Sequence, residues 1–137
     1  MIIKIPGKPI AKKRPRFARR GKFVTTYNDQ ETEESKTLAI IMQQCEGNKT
    51  AGPLKVSFFF KMPRPKGHFG TGRNAEKLKP SAPQHHTKKP DIDNMVKFYM
   101  DVLTGFAWVD DSQVIIQEAS KMYHDDPGTT IVINSIC

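Results

Sequence analysis

Pro90-Asp-Ile-Asp-Asn-Met-Val-Lys-Phe-Tyr-Met-Asp-Val-Leu-Thr-Gly105 reads as one amphipathic helix. Met95, Tyr99, Val102 and Leu103 recur at i, i+4, i+7 and i+8, which puts them on a single buried face. Pro90 marks its start and Gly105 its stop. Outward from this helix the neighbours are strands. On the N-terminal side, Leu54 to Met62 alternates and then turns apolar, as a central strand does. On the C-terminal side, Val114 to Tyr123 and Thr129 to Ile136 are two strands joined by the turn Asp125-Asp-Pro-Gly128. So short a connection predicts that they pair as an antiparallel hairpin. Further upstream, Met1 to Pro6 is an opening strand, and Phe23 to Tyr27 is a strand returning from the charged Lys12–Lys22 loop or hairpin. A first helix runs from about Gln30 to Gln44, capped by Asn28 or Asp29, with Leu38, Ile41, Met42 and Cys45 as its apolar stripe and Gly47 as its stop. The order ββαβαββ predicts an α/β (α+β) fold, a mixed or antiparallel sheet with helices packed on it.

Length and composition set the frame. A chain of 137 residues suits one domain, 1–137, with one core. At 37% hydrophobic and 26% charged residues it reads as an ordinary globular protein. No apolar run is long enough for a bilayer and no signal peptide opens the chain, so a cytoplasmic location is expected, with no membrane partner. Cys45 and Cys137 stand alone, which argues against a disulfide framework or a structural zinc site. The net charge of +8 points to a polyanionic partner. Its distribution is uneven. Met1 to Lys22 holds nine basic residues and no acid, and Lys61 to Lys89 holds eight against Glu76. From Pro90 onward, eight acids face only Lys97 and Lys121. The stretch from about 63 to 90 is a long basic loop without apolar period, and loops of that length are usually functional or mobile.

An acidic cluster in a nucleic-acid-binding chain needs its own reason. Asp91 follows a proline and is explained as a helix cap; Asp93, two positions on, is not, since two carboxylates there repel each other. Lys97 lies one helical turn beyond Asp93 on the same face. Trp108-Val-Asp-Asp-Ser-Gln113 adds Asp110 and Asp111, which by themselves would be a polar turn, with Trp108 as a core anchor. A helix from Asp91 to Leu103 is about 20 Å long, and the chain from Thr104 to Val109 spans up to about 20 Å, enough to return one of Asp110 and Asp111 beside the helix start. Three carboxylates gathered there make a hard-oxygen site for Mg²⁺, with Mn²⁺ as a substitute. A divalent cation between carboxylates and a phosphodiester would activate water and stabilise the leaving group, with Lys97 facing the developing charge.

Asp91-Ile-Asp-Asn-Met-Val-Lys97, Asp101-Val-Leu-Thr-Gly and Trp108-Val-Asp-Asp-Ser-Gln-Val114, together with the early Gly7-Lys-Pro and Lys12-Lys-Arg-Pro-Arg16, resemble the signature of the RusA family of Holliday-junction resolvases. The resemblance covers most of the chain. It implies a homodimeric, Mg²⁺- or Mn²⁺-dependent endonuclease, often carried by phages and prophages, that cuts four-way DNA junctions in recombination and repair. It also implies that Asp91, Asp93 and Asp111 are the catalytic, metal-holding aspartates and Lys97 the catalytic lysine. The basic residues Lys12, Lys13, Arg14, Arg16, Arg19, Arg20, Lys88 and Lys89 are the expected DNA contacts. His68 and His124 have no partner in sequence, and His85-His86 reads as a pair of ordinary exposed side chains. A non-catalytic nucleic-acid-binding protein, or a metal nuclease acting on other branched DNA or RNA, is the alternative. No Walker loop, GxGxxG or Ser-His-Asp set competes with these readings.

Overall fold

A computed structural model describes residues 1–13, 16–21, 23–27 and 30–137, with the backbone alone for the strand residues 16–20 and 23–27. The strands are β1 (Ile2–Pro6), β2 (Arg16–Arg20), β3 (Phe23–Tyr27), β4 (Leu54–Met62), β5 (Val114–Tyr123) and β6 (Gly128–Ser135); the helices are α1 (Glu31–Met42) and α2 (Ile92–Leu103). β2 and β3 form a separate two-stranded ribbon, so the Lys12–Lys22 stretch contributes a strand of its own. The other four strands form a mixed sheet in the order β1-β6-β4-β5.

β4 is the centre because it is the most apolar strand. Leu54, Val56, Phe58, Phe60 and Met62 are all buried on one face, which is worth roughly 1.5–3 kcal/mol for each large side chain. β5 carries Gln117, Glu118, Ser120 and Lys121 and takes the edge. This ordering overturns the expected hairpin. β5 and β6 do not pair with each other; β5 runs parallel to β4, β6 antiparallel to it, and β4 lies between them. The connection 124–127 therefore crosses the end of β4, a span of roughly 10 Å at two strand spacings. The backbone N–H of His124 donates to the Met62 carbonyl at 3.0 Å during that crossing.

Both helices lie on the face that carries Ile3, Phe58 and Ile131, α1 against β1 and α2 toward β5. The opposite face is open, with Ile2, Phe59 and Ile116 exposed. α2 buries Met95, Tyr99, Val102 and Leu103 as its spacing predicts, together with Val96 and Phe98. It ends at Gly105, whose φ of 90° suits glycine. α1 departs from expectation in two ways. Met42 is 58% exposed, and Thr37 joins Ile41 as the buried pair. The helix stops at Met42, well before Gly47; at Gly47 a Cβ would come within 2.8 Å of the Phe106 ring, so packing requires the glycine there. The proposed Asn28 or Asp29 cap lies outside the described residues, and Gln30 is the N-cap instead.

Candidate active site

α2 presents Asp93, Lys97 and Asp101 at i, i+4 and i+8, one row along its exposed side. That row lines a groove of about 420 Å³ together with Asp111, Gln117 and Ala119. Two of the expected aspartates, Asp93 and Asp111, and the expected lysine thus face one space. Asp101 joins them. Its four-residue offset from Lys97 was the available signal for it, and its carboxylate adds a smaller repulsion to the Asp110 hydrogen bond that chiefly raises the pKa of Asp111.

Asp91 is the N-cap residue of α2, with φ −69° and ψ 145°. Its side chain makes no capping hydrogen bond, so the cap explanation does not account for its carboxylate. It is exposed and does not line the groove. Among the described residues no three acidic, histidine or cysteine side chains approach closely enough to chelate one cation. The acids of the groove sit on separate turns: Asp93 on the first turn of α2, Asp101 on its third, and Asp111 on the 3-10 turn Asp111–Gln113. Like charges on separate supports stand apart in water.

The Asp110–Asp111 turn is held from both sides. Trp108 is fully buried, and its Nε1 donates to Thr104 Oγ1 at 3.0 Å, which donates to the Met100 carbonyl at 2.7 Å. Gln113 accepts from the backbone N–H groups of Val109 and Asp110 at 2.9 and 3.1 Å. Its Nε2 donates to the carbonyls of Thr50 and Gly52 at 2.8 and 3.0 Å. Asp110 completes this capping box by accepting from the Ser112 N–H at 3.0 Å. That bond pulls the Asp110 carboxyl below the usual carboxylate range, whereas the hydrogen bond between the two aspartates pushes Asp111 up. Asp110 is engaged with its own backbone, and Asp111 is the one that reaches the groove.

The expected DNA contacts divide. Lys12 is only 20% exposed and bridges Glu34 at 3.0 Å and Asp101 at 3.1 Å. Burial alone would lower its pKa, but the two carboxylates outweigh that and raise it. Its backbone N–H also donates to the Asn94 carbonyl at 2.9 Å, so Lys12 fastens the basic arm to α1 and α2. Lys13 is mostly exposed and pairs loosely with Glu33 at 3.6 Å. Arg14 lies outside the described residues; Arg16, Arg19 and Arg20 lie on β2, where the backbone alone is described. Lys88 and Lys89 are exposed at the approach to α2. Lys121 holds that approach in place by donating to the Lys88 and Pro90 carbonyls at 2.7 and 2.9 Å. His86 contradicts its sequence reading. It is 8% exposed and packs against Tyr123, with ring centroids 4.9 Å apart.

Comparison with known proteins places this geometry in context. Residues 6–134 match the family described as endodeoxyribonuclease RusA. The chain is also similar to a protein of Bacillus subtilis (strain 168), described as uncharacterized protein YqaN, at 28% identity over 132 residues; the match covers 95% of this chain and 92% of that one.

Proposed function

Because the chain belongs to the RusA endodeoxyribonuclease family, we propose that it is a structure-selective endonuclease that resolves four-way DNA junctions by divalent-metal-dependent phosphodiester hydrolysis. The observation that carries this reading is the groove shared by Asp93, Asp111 and Lys97, set in a chain whose remaining surface charge is strongly basic. A protein that only bound DNA would gain nothing from carboxylates facing the phosphates.

Asp93 and Asp111, the two expected acids that share the groove, would offer hard oxygen donors to Mg²⁺ or Mn²⁺, while Asp91 stands outside the groove at the helix entry. The chemistry that such a cation supplies when bound is neutralisation between carboxylates and phosphodiester, and activation of water for in-line attack. Lys97 donates from its ammonium to the oxygen on which charge develops as the P–O bond breaks. Lys88, Lys89 and the basic arm from Lys13 through Arg20 grip the backbone on either side, and their contacts carry no sequence information. Lys12 acts through Asp101, keeping the arm docked beside the groove. Resolution needs two symmetric incisions, and a two-fold homodimer is the economical way to deliver them.

The deciding experiment incubates the protein with a labelled four-way junction and a linear duplex of the same sequence, in Mg²⁺, Mn²⁺ or EDTA. Paired symmetric nicks in the junction alone, lost in EDTA, are expected. Binding without cleavage under either ion would make the protein a non-catalytic nucleic-acid-binding module. Cleavage of flaps or RNA in preference to the junction would make it a metal nuclease of different substrate.

A further inference from the structure

Beside the start of α2 lies a second cavity of about 330 Å³, which shares no lining residue with the Asp93 groove. Lys8, Arg64, His86, Lys88 and Lys89 line it, with Tyr123 as part of its wall and no carboxylate in its lining. Two buried side-chain nitrogens lack a hydrogen-bond partner among the described residues, Arg64 Nε and His86 Nδ1, and both belong to residues of this cavity. Buried polar groups are nearly always paired, so two orphans in one cationic cavity call for an absent acceptor.

The side chains are already oriented. Arg64 stacks over the Tyr123 ring at 5.3 Å, and its Nη1 donates to the Pro83 carbonyl at 2.8 Å, so one edge of the guanidinium is anchored and the Nε is left over. His86 packs on the same Tyr123 ring. Burial, with Lys121 and Lys8 nearby, lowers its pKa, and its Nδ1 donates in one of the two neutral tautomers. We infer that Lys8, Arg64, His86, Lys88 and Lys89 form a cradle for one internal backbone phosphate of the bound DNA strand, next to the phosphate that is cut. A guanidinium edge, an imidazole and flexible ammonium groups suit a tetrahedral oxyanion. Pro90 lines the cavity and Asp93, three residues on, lines the groove, so at most about 11 Å of backbone separates the two. The inference rests on the nuclease reading for the identity of the anion. It gives the 63–90 loop a task, because that loop supplies Arg64 and His86 and is closed onto β5 by the Tyr123 N–H to Gln84 carbonyl bond at 3.0 Å.

The test reads binding in EDTA, so that cleavage plays no part. Methylphosphonates are placed one at a time along a junction strand, and affinity is measured for the wild type and for the double variant Lys8→Gln, Lys88→Gln. Both lysines are exposed and form no ion pair among the described residues, so the fold tolerates the change; Arg64→Gln, which also loosens the Tyr123 stack, is the secondary variant. The wild type is expected to lose roughly three- to tenfold in affinity at one position near the cut, and the double variant to lose nothing more there. The slope of log affinity against log salt should fall by about one per lysine. Additive losses at every position would overturn the cradle, whether or not the protein cuts DNA. A His86 ring resonance that moves with inorganic phosphate, without any coupled DNA position, would mean a free-phosphate site and also overturn it. Coupling at one position in a protein that never cuts would support the cradle and sink the nuclease reading alone.

Discussion

A carboxylate held in a capping box is less free to turn toward a cation than a neighbour that faces open space. Asp110 accepts the Ser112 N–H, and Asp111 faces the groove. The two residues therefore predict opposite phenotypes. Asp110→Ala removes the cap of the 3-10 turn and should lower the melting temperature by roughly a few degrees while cleavage persists in reduced form. Asp111→Asn should leave the melting temperature in place and remove cleavage, which a thermal melt and a junction-nicking assay on the same preparations would separate. Asp93→Asn keeps size and shape but not charge. It should reduce the cleavage rate by about a thousandfold, equivalent to about 4 kcal/mol of lost transition-state stabilisation, with junction binding in EDTA retained. Cleavage at the wild-type rate would remove Asp93 from the mechanism.

α2 is the element on which both core and site depend, and Tyr99 shows how. Its buried hydroxyl accepts from the Ile10 N–H at 3.0 Å and from Thr129 Oγ1 at 3.2 Å, tying the basic arm and β6 to the helix. Tyr99→Phe leaves the Ile10 N–H without its acceptor, and should cost about 1–3 kcal/mol of stability in a denaturant titration. Lys12→Gln loosens the same arm from Glu34 and Asp101 and should cost about 1 kcal/mol. Because Lys12 is already paired with carboxylates, the variant should barely change the salt slope of DNA binding, and a slope reduced by a full unit would restore it as a phosphate contact. How far such features could be read beforehand depended on their range. The period of Met95, Tyr99, Val102 and Leu103, the Trp108 anchor and the one-turn spacing of Asp93 and Lys97 are local patterns; chain reach brought Asp110 or Asp111 back to the helix without choosing between them, and it did not foresee that Asp91 would stay outside the groove. The insertion of β4 between β5 and β6 is a matter of which strand buries best, a comparison across the whole sheet that a four-residue turn cannot announce. His86 lies in a polar loop and is buried only because Tyr123, 37 positions later, comes to meet it; nothing near it in sequence says so. Gln113 was visible only as part of a motif, since the carbonyls it holds lie at Thr50 and Gly52.

At the level of the whole molecule, a net charge of +8 surrounds a groove whose lining carries three carboxylates, Asp93, Asp101 and Asp111. A dimer would present two such grooves, and light scattering should then return twice the 15.5 kDa chain mass; a monomer at assay concentrations would require the two incisions to be independent events. The strand order has another consequence. Residues 71–81 are all exposed on the long loop, between the half-covered Gly70 and Ala82, and they offer Arg73 and Lys77 as cleavable bonds. Trypsin should nick the chain there first. The N-terminal fragment would carry β1 and β4 and the C-terminal fragment β5 and β6, so the pieces clasp each other along three hydrogen-bonded ladders. The nicked protein should run as two bands in denaturing gels yet migrate as one species in native size exclusion, and two separately expressed halves should reassemble when mixed.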